Sequence, residues 1–473
     1  MDYYLCIGIA GSCYLEAPLI NYVMGVGALS QHATKSIAVI GLGKTGISCV
    51  RYCLEKGYNV IAADTRLQPP GLTEFTQNYP QVSLFLGELS SEKIAQADEI
   101  VVSPGVSLDY PAIVELKALG KSIIGDIDLF AREAKAPIIA ITGSNGKTTV
   151  TTLLGEMFAQ AGKRAIVCGN IGTPVLEVLE QPVPEFYVLE LSSFQLETTH
   201  VLATQSAAVL NISPDHMDRY AGFLDYVAAK RKIYADCQRP VVNADEAAIW
   251  QGVVGDRLLS FSVNSCTADF CVLTKGGKKW LAFHEEALVE VDKLPLKGAH
   301  HWQNALAALA LGYAAGLSME AMLEALQRFN GLRHRCQWVR QHNGIQWYND
   351  SKATNVGATQ TAIESLCETV DGKIILIAGG VGKGADFSSL RHALDRCVGE
   401  VILLGEDRQV LATAIEGCAE LSYADSLEAA VQQASSQARE GDLVLLSPAC
   451  ASFDMFANFE ARGEAFIQLV NQL

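Results

Sequence analysis

The sequence predicts a three-domain α/β protein whose sheets are mainly parallel. Three observations carry that reading. The chain has 473 residues, about three domains at ~150 residues each. Two glycine-bounded turns, near residues 41 and 143, each follow a short apolar run and precede a helical pattern. The last third continues the alternation, with apolar runs at 374–378, 400–404 and 442–446 separated by helical stretches. The expected units are a Rossmann-like nucleotide-binding domain over 36–126, a central P-loop ATPase domain over 127–331 and a Rossmann-like third domain over 332–473. Residues 1–35 form an extension of unknown role.

Composition narrows the class. Hydrophobic residues make up 49% and charged residues 19%, as in ordinary globular proteins. A net charge of −16 argues against a nucleic-acid partner, which needs a basic surface. The 13 cysteines include no Cys-x-x-Cys pair and read as buried free thiols in a reducing compartment. No apolar run is long enough to span a bilayer, so no membrane partner is expected; the protein is expected to be a monomer in the cytoplasm. The extension is apolar but broken by Asp2, Glu16, Pro18 and Asn21, and it lacks the basic start of a signal peptide. An upstream start codon, with Met24 as another initiator, and a membrane-associating tail both remain open.

In the first unit, Ile37-Ala38-Val39-Ile40 reads as a strand, Gly41-Leu42-Gly43-Lys44-Thr45-Gly46 as a turn and residues 47–56 as a helix. A second strand over 58–63 ends at Asp64, 18 positions after the last glycine. This Gly-x-Gly-x-x-Gly unit with a following acid suits a dinucleotide, or a nucleotide diphosphate on the same turn. Asp64-Thr65-Arg66 offers a hydroxyl and a bidentate cation suited to phosphate. Ser103-Pro104-Gly105 is either a ligand loop or a plain turn.

The central unit opens on Ile138-Ile139-Ala140-Ile141 and runs into Thr142-Gly143-Ser144-Asn145-Gly146-Lys147-Thr148-Thr149. Strand, glycine loop and helix N-terminus together make an anion site. Lys147 adds a full charge for the β- and γ-phosphates, and the Thr148 hydroxyl suits Mg²⁺. Only two residues separate the glycines, where the strict P-loop has four. Glu190 falls at the end of the run 186–191, where a buried acid requires a partner or a metal. Asp215-His216-Met217-Asp218 follows the run 207–210. Thr148, Glu190 and His216 thus converge at one sheet edge, and oxygen ligands near phosphate suit Mg²⁺. Lys230 lies in a basic helix (226–234) that could equally be a solvated face. Residues 266–291 read as β-hairpin material, and Asn304 begins an alanine-rich helix after an undecided His300-His301 pair.

In the third unit the candidate ligand loops are 349–355, 379–384 and 447–454, all at strand ends. A hinge is expected near residues 330–332.

Taken in order, Gly-Ser-Asn-Gly-Lys-Thr-Thr, Glu-Leu-Ser-Ser-Phe-Gln-Leu-Glu, Asp-His-Met-Asp-Arg-Tyr, Asn-Asp-Ser-Lys-Ala-Thr-Asn and Ser-Pro-Ala-Cys-Ala-Ser resemble the Mur ligases over nearly all the chain beyond residue 35. The resemblance implies ATP-dependent addition of D-glutamate to UDP-N-acetylmuramoyl-L-alanine through an acyl phosphate, in peptidoglycan synthesis and hence cell-wall growth and division. It implies that Leu42, Thr45, Thr65, Arg66 and Gly105 bind the UDP moiety, with Asn170 and His216 near the sugar-peptide. Gly143, Ser144, Asn145, Gly146, Lys147, Thr148 and Thr149 would hold ATP, completed by Asn304, Arg335, Asp350 and Lys352. Two Mg²⁺ ions would be served by Thr148, Glu190, His216 and Lys230, the last as a CO2-derived carbamate. Thr354, Lys383, Ser452 and Phe459 would hold D-glutamate. Lys147, Glu190, His216 and Lys230 are the implied catalytic set. Val381 and Arg333 depart from the family pattern, where aspartate and proline are common. The rival readings are another Mur or folylpolyglutamate-type ligase and an NAD-linked oxidoreductase resting on residues 41–64.

Overall fold

Three sheets, one wholly and two mainly parallel, give the molecule its layout. The structure, a computed structural model, describes residues 35–253, 257–296, 298–367 and 370–473. The extension, with both readings offered for it, lies outside the described residues.

The first sheet holds β1 (Ser36–Ile40), β2 (Asn59–Asp64), β3 (Ser83–Leu86), β4 (Glu99–Val102) and β5 (Ser122–Ile124), all parallel, in the order β3-β2-β1-β4-β5. Ile37 to Ile40 are fully buried, as expected of a parallel strand covered by helices on both faces. The helix Lys44–Glu55 packs so closely on the turn before it that a Cβ at Gly46 would stand 1.7 Å from the Gly41 carbonyl oxygen.

The second sheet has nine strands: β6 (Ile138–Thr142), β7 (Ala165–Gly169), β8 (Phe186–Glu190), β9 (Thr204–Val209), β10 (Cys237–Asn243), β11 (Leu259–Ser262), β12 (Phe270–Lys275), β13 (Lys278–Phe283) and β14 (Glu286–Glu290). Their order is β14-β13-β12-β11-β10-β9-β6-β8-β7, parallel from β7 to β12. The segment read as a hairpin is a three-stranded meander, β12 to β14, that extends this sheet. The helices Lys147–Gln160, Ala299–Ala314 and Met319–Arg328 pack together against it. Ile139, Ile141, Leu153, Leu154, Leu306 and Leu309 fill that core.

The third sheet runs β15 (Gln337–His342), β16 (Ile345–Asn349), β20 (Leu443–Leu446), β17 (Ile374–Gly379), β18 (Val398–Leu404) and β19 (Glu420–Tyr423), with only the β15–β16 pair antiparallel. Parallel order delivers the loops after β16, β17 and β20 to one end, the usual place for ligands.

One expectation about the cysteines changes. Nine of the described cysteines are free thiols, but Cys367 and Cys397 form a disulfide, their Cα atoms 5.8 Å apart. Each closes a helix, Val356–Cys367 and Arg391–Cys397, and the two helices pack together; that separation suits a bridge.

Leu309 is fully buried between helix and sheet. Leu309→Ala is expected to cost about 2–5 kcal/mol of stability, read as a lower urea midpoint at unchanged slope. A loss below about 1 kcal/mol would mean that the core there collapses around the missing atoms.

Candidate active site

The phosphate-type loop leaves β6 at Thr142 and enters the helix Lys147–Gln160 through Gly146, whose φ is +81°. A Cβ on Gly146 would meet Asn304 Oδ1 at 2.3 Å, so both the left-handed backbone and the close approach demand glycine. Lys147 Nζ donates back to the carbonyls of Gly143 (2.8 Å) and Ser144 (2.9 Å). Burial pushes its ammonium below the ordinary value, Glu190 opposes that, and Arg335 adds to the depression. The loop is braced from residues 211–213: Asn145 N donates to Asn211 Oδ1 (2.8 Å) and Ser213 N to Ser144 Oγ (2.9 Å).

Glu190, at the end of β8, is 1% exposed. Its Oε1 accepts from Asn170 Nδ2 (2.9 Å), while Oε2 has no partner. A buried carboxylate oxygen left open beside Lys147 and Arg335 fits a cation held jointly with phosphate. No cluster of three or more His, Cys, Asp or Glu side chains capable of holding a metal occurs among the described residues. Mg²⁺ takes one or two protein oxygens plus phosphate and water, a number that Glu190 and Thr148 can supply.

His216 sits at φ +57°, its ring 4.8 Å from that of Phe194 and its Nε2 3.6 Å from Asp215 Oδ2. Burial lowers its pKa, against the pull of Asp215, which favours the neutral imidazole that ligates metals. Asp215 also faces the third sheet's loops, through Lys383 Nζ (3.4 Å) and Asn355 Nδ2 (3.1 Å). Burial alone would raise its pKa, but Lys383, His216 and Asn355 hold it below the usual carboxylate range.

The solvated-face reading of Lys230 does not hold. The residue is 2% exposed, donates to Gly143 O (2.9 Å) and lies over the Tyr226 ring at 4.7 Å. Burial, then the charge of Lys147, pushes its pKa well below the usual lysine value.

From the third sheet, Arg335 Nη2 and Lys352 Nζ both donate to Thr148 Oγ1, at 3.2 and 3.1 Å. A cavity of about 310 Å³ opens between the sheets, lined by Asn145, Gly146, Asn304, Arg335, Asp350 and Lys352 among others. Burial pushes Asp350 up to about 7 although Cys336 N and Ser447 Oγ donate to it, and it pushes Lys352 down to about 8. His300 also lines this cavity, bonded through Nδ1 to Ser365 at 2.5 Å, while His301 Nδ1 has no partner. The Lys352 ammonium stands 4.9 Å from the Phe459 ring. Arg462, which sequence reasoning passed over, is 3% exposed and donates to Ser351 Oγ, Ser351 O and Cys450 O, tying two ligand loops together. Only its burial distinguishes it, and burial is not written in a local motif.

A second cavity, about 580 Å³, is lined by Thr45, Thr65, Arg66, Gly105 and Asn170. Two readings of the turn residues change here. Leu42 is fully buried, its amide donating to Asp64 Oδ2 (2.6 Å), and Lys44 lines the cavity instead. Arg66 spends Nε and Nη2 on Asp64 (2.9 and 2.8 Å), so its fork is not free for phosphate. The same bonds saturate Asp64, the acid that would have to receive a ribose diol in a dinucleotide site, and remove the basis of the oxidoreductase reading.

Sheets, phosphate-type loop and converging cations define a three-domain nucleotide-dependent ligase fold. Residues 35–125 match the MurD-like N-terminal domain of Mur ligases, 141–312 the Mur ligase middle domain and 334–450 the Mur ligase glutamate ligase domain. The chain belongs to the Mur ligase family. It is 52% identical over 436 residues to a UDP-N-acetylmuramoylalanine–D-glutamate ligase of Coxiella burnetii, covering 92% of this chain and 98% of that one. A protein of the same name from Pseudomonas aeruginosa is 52% identical over 438 residues, covering 92% and 97%. Among solved structures, MurC from Thermotoga maritima superposes with a TM-score of 0.59 at 20% identity, covering 92% of this chain and 99% of that one. MurF from Acinetobacter baumannii gives 0.59 at 18%, covering 92% of each. At such identities these two speak for the fold alone.

The Asp350 shift has a sign that can be checked. The unfolded carboxyl titrates near ~4, the folded one at about 7, so the fold holds an extra proton between those values. This group's contribution therefore falls as pH rises from about 4 to about 7. Asp350→Asn is expected to flatten that fall in denaturation series across the window; identical pH profiles for the two proteins would refute it.

Proposed function

We propose that the chain joins D-glutamate to UDP-N-acetylmuramoyl-L-alanine at the expense of ATP, as a monomer in the cytoplasm, in peptidoglycan precursor synthesis. The observation that carries this reading is the meeting of Arg335 and Lys352 with Thr148: the phosphate-type loop and the third sheet's ligand loops stand one hydrogen bond apart. The names of the 52% identical relatives supply the substrate pair.

On this reading the larger cavity takes the UDP end through Thr45, Thr65, Gly105 and Asn170, with the flat face of Arg66 and Lys44 at its rim. Residues 143–149 cradle the ATP phosphates, and Asn304, Arg335, Asp350 and Lys352 complete the nucleotide site. The alanine carboxylate attacks the γ-phosphorus, ADP leaves and an acyl phosphate forms. The amine of D-glutamate then attacks the acyl carbon and inorganic phosphate departs. Lys147, Arg335 and Lys352 concentrate positive charge where the phosphoryl group moves, which favours the transition state over the ground state. Bound Mg²⁺ would supply further charge neutralisation on the phosphates; Glu190, Thr148 and neutral His216 are the residues that would hold it. Thr354, Lys383, Ser452 and Phe459 would receive D-glutamate, with the Lys383 ammonium facing a carboxylate. Lys230, its amine depressed toward the free base, would add to CO2, losing a proton to become a carbamate anion able to serve a second metal.

Phosphate release from ATP with UDP-N-acetylmuramoyl-L-alanine is expected with D-glutamate and not with L-glutamate, L-lysine or meso-diaminopimelate. Release with another of the four would keep the ligase and move the specificity. Lys147→Ala is expected to lower turnover by about 10²–10³-fold, the scale of losing one transition-state charge contact; turnover within a few-fold of the unmodified enzyme would reject the phosphate-loop assignment. Lys230→Ala is expected to lose activity that added acetate partly restores, because a small carboxylate can replace the carbamate. Absence of rescue at every acetate concentration would count against the carbamate.

A further inference from the structure

Residues 211–222 touch all three sheets' ligand loops. Asn211 and Ser213 brace the phosphate-type loop, and Asp215 meets Lys383 and Asn355. Arg219 provides the contact with the first sheet's loops. Its Nη2 donates to Val106 O (3.4 Å), in the Ser103–Val106 stretch that lines the nucleotide cavity. Its guanidinium carbon lies 4.3 Å from the centroid of the Phe194 ring, whose own centroid is 4.8 Å from the His216 ring. Phe194 also stacks on Tyr220 at 6.1 Å, and Arg219 N donates to His216 O (2.9 Å). Among the described residues Arg219 has no carboxylate partner within ion-pair distance. Its contacts are a ring face and a carbonyl, which a planar guanidinium meets with its face and its edge respectively.

We propose that Arg219 is a positioning residue: it fixes the span between the Ser103–Val106 turn and His216, and through that span selects the acyl substrate by length. The inference rests on the ligase reading above. A substrate anchored at its uridine end must present its carboxylate to the γ-phosphate at the far end, so the distance between the two sites is a ruler. When the span is fixed, an acid one residue short fails to reach; when it is loose, the cognate acid loses its alignment and the short one is rejected less.

The test compares kcat/KM for UDP-N-acetylmuramoyl-L-alanine and for UDP-N-acetylmuramate, one residue shorter, in the unmodified enzyme and in Arg219→Lys, Arg219→Ala and Phe194→Leu. KM for ATP and thermal unfolding are followed in parallel. The expected result is a loss of about tenfold to a hundredfold for the longer acid, the scale of a small misplacement of a reacting group. KM for ATP should stay within about twofold, and the preference for the longer acid should shrink. Phe194→Leu, which keeps the charge and removes its seat, should reproduce the shift and carries the test with Arg219→Lys if Arg219→Ala does not fold. Unchanged preference, or a loss shared equally by both acids and by ATP, overturns the ruler and leaves Arg219 a packing residue. A silent unmodified enzyme with UDP-N-acetylmuramoyl-L-alanine and D-glutamate overturns the ligase reading itself, and this inference with it; an active one whose variants keep the preference removes only the inference.

Discussion

Two amine groups, that of half-buried Lys147 and that of buried Lys230, donate to the same carbonyl oxygen, that of Gly143. Like charges brought that close out of water repel strongly, and the surrounding structure answers them. Glu190 and Asp215 act on both lysines with the opposite sign. The shortfall is widened by Arg335 and Lys352, which converge on Thr148 from the third sheet. A site so rich in cations is built to receive an anion, and the architecture places it where three sets of loops meet.

That meeting follows from parallel strands. Each sheet sends its connecting loops to the carboxyl ends of its strands, so β6, β8 and β9 supply the phosphate-type loop, Glu190 and the segment with Asp215 and His216. The third sheet supplies the loops tied together by Arg462. Domain-scale geometry therefore reduces to a few short loops, each anchored by the strand before it. Most of the core exists to hold those anchors still.

Much of this is legible in the sequence because it is local. The stretch from Ile138 to Thr149 writes strand, turn and helix N-terminus consecutively, and Glu190 and His216 follow buried runs whose ends can be read directly. What escapes is chemistry decided across the chain. Arg66 looks like a free fork until Asp64, two residues earlier, turns inward and occupies it. Leu42 and Lys44 occupy the same turn, and only its packing shows which one faces the cavity. Lys230 sits in a run of basic residues that reads as solvated, yet its helix presses it under the loop. Cys367 and Cys397, 30 residues apart, meet only because two helix ends do.

The meander that extends the central sheet also sets what one of that sheet's edges presents to solvent. β14 is an edge strand, and an unpaired edge offers hydrogen-bond partners to any strand that approaches. Here the rim is charged: Lys275, Lys278 and Lys279 flank the Gly276–Gly277 turn, Glu286 is exposed at the start of β14, and Glu290 pairs with Lys278 at 2.7 Å. Such charges must be stripped of water before a second strand can pair there, so this border of the largest sheet carries a desolvation cost against edge-on pairing.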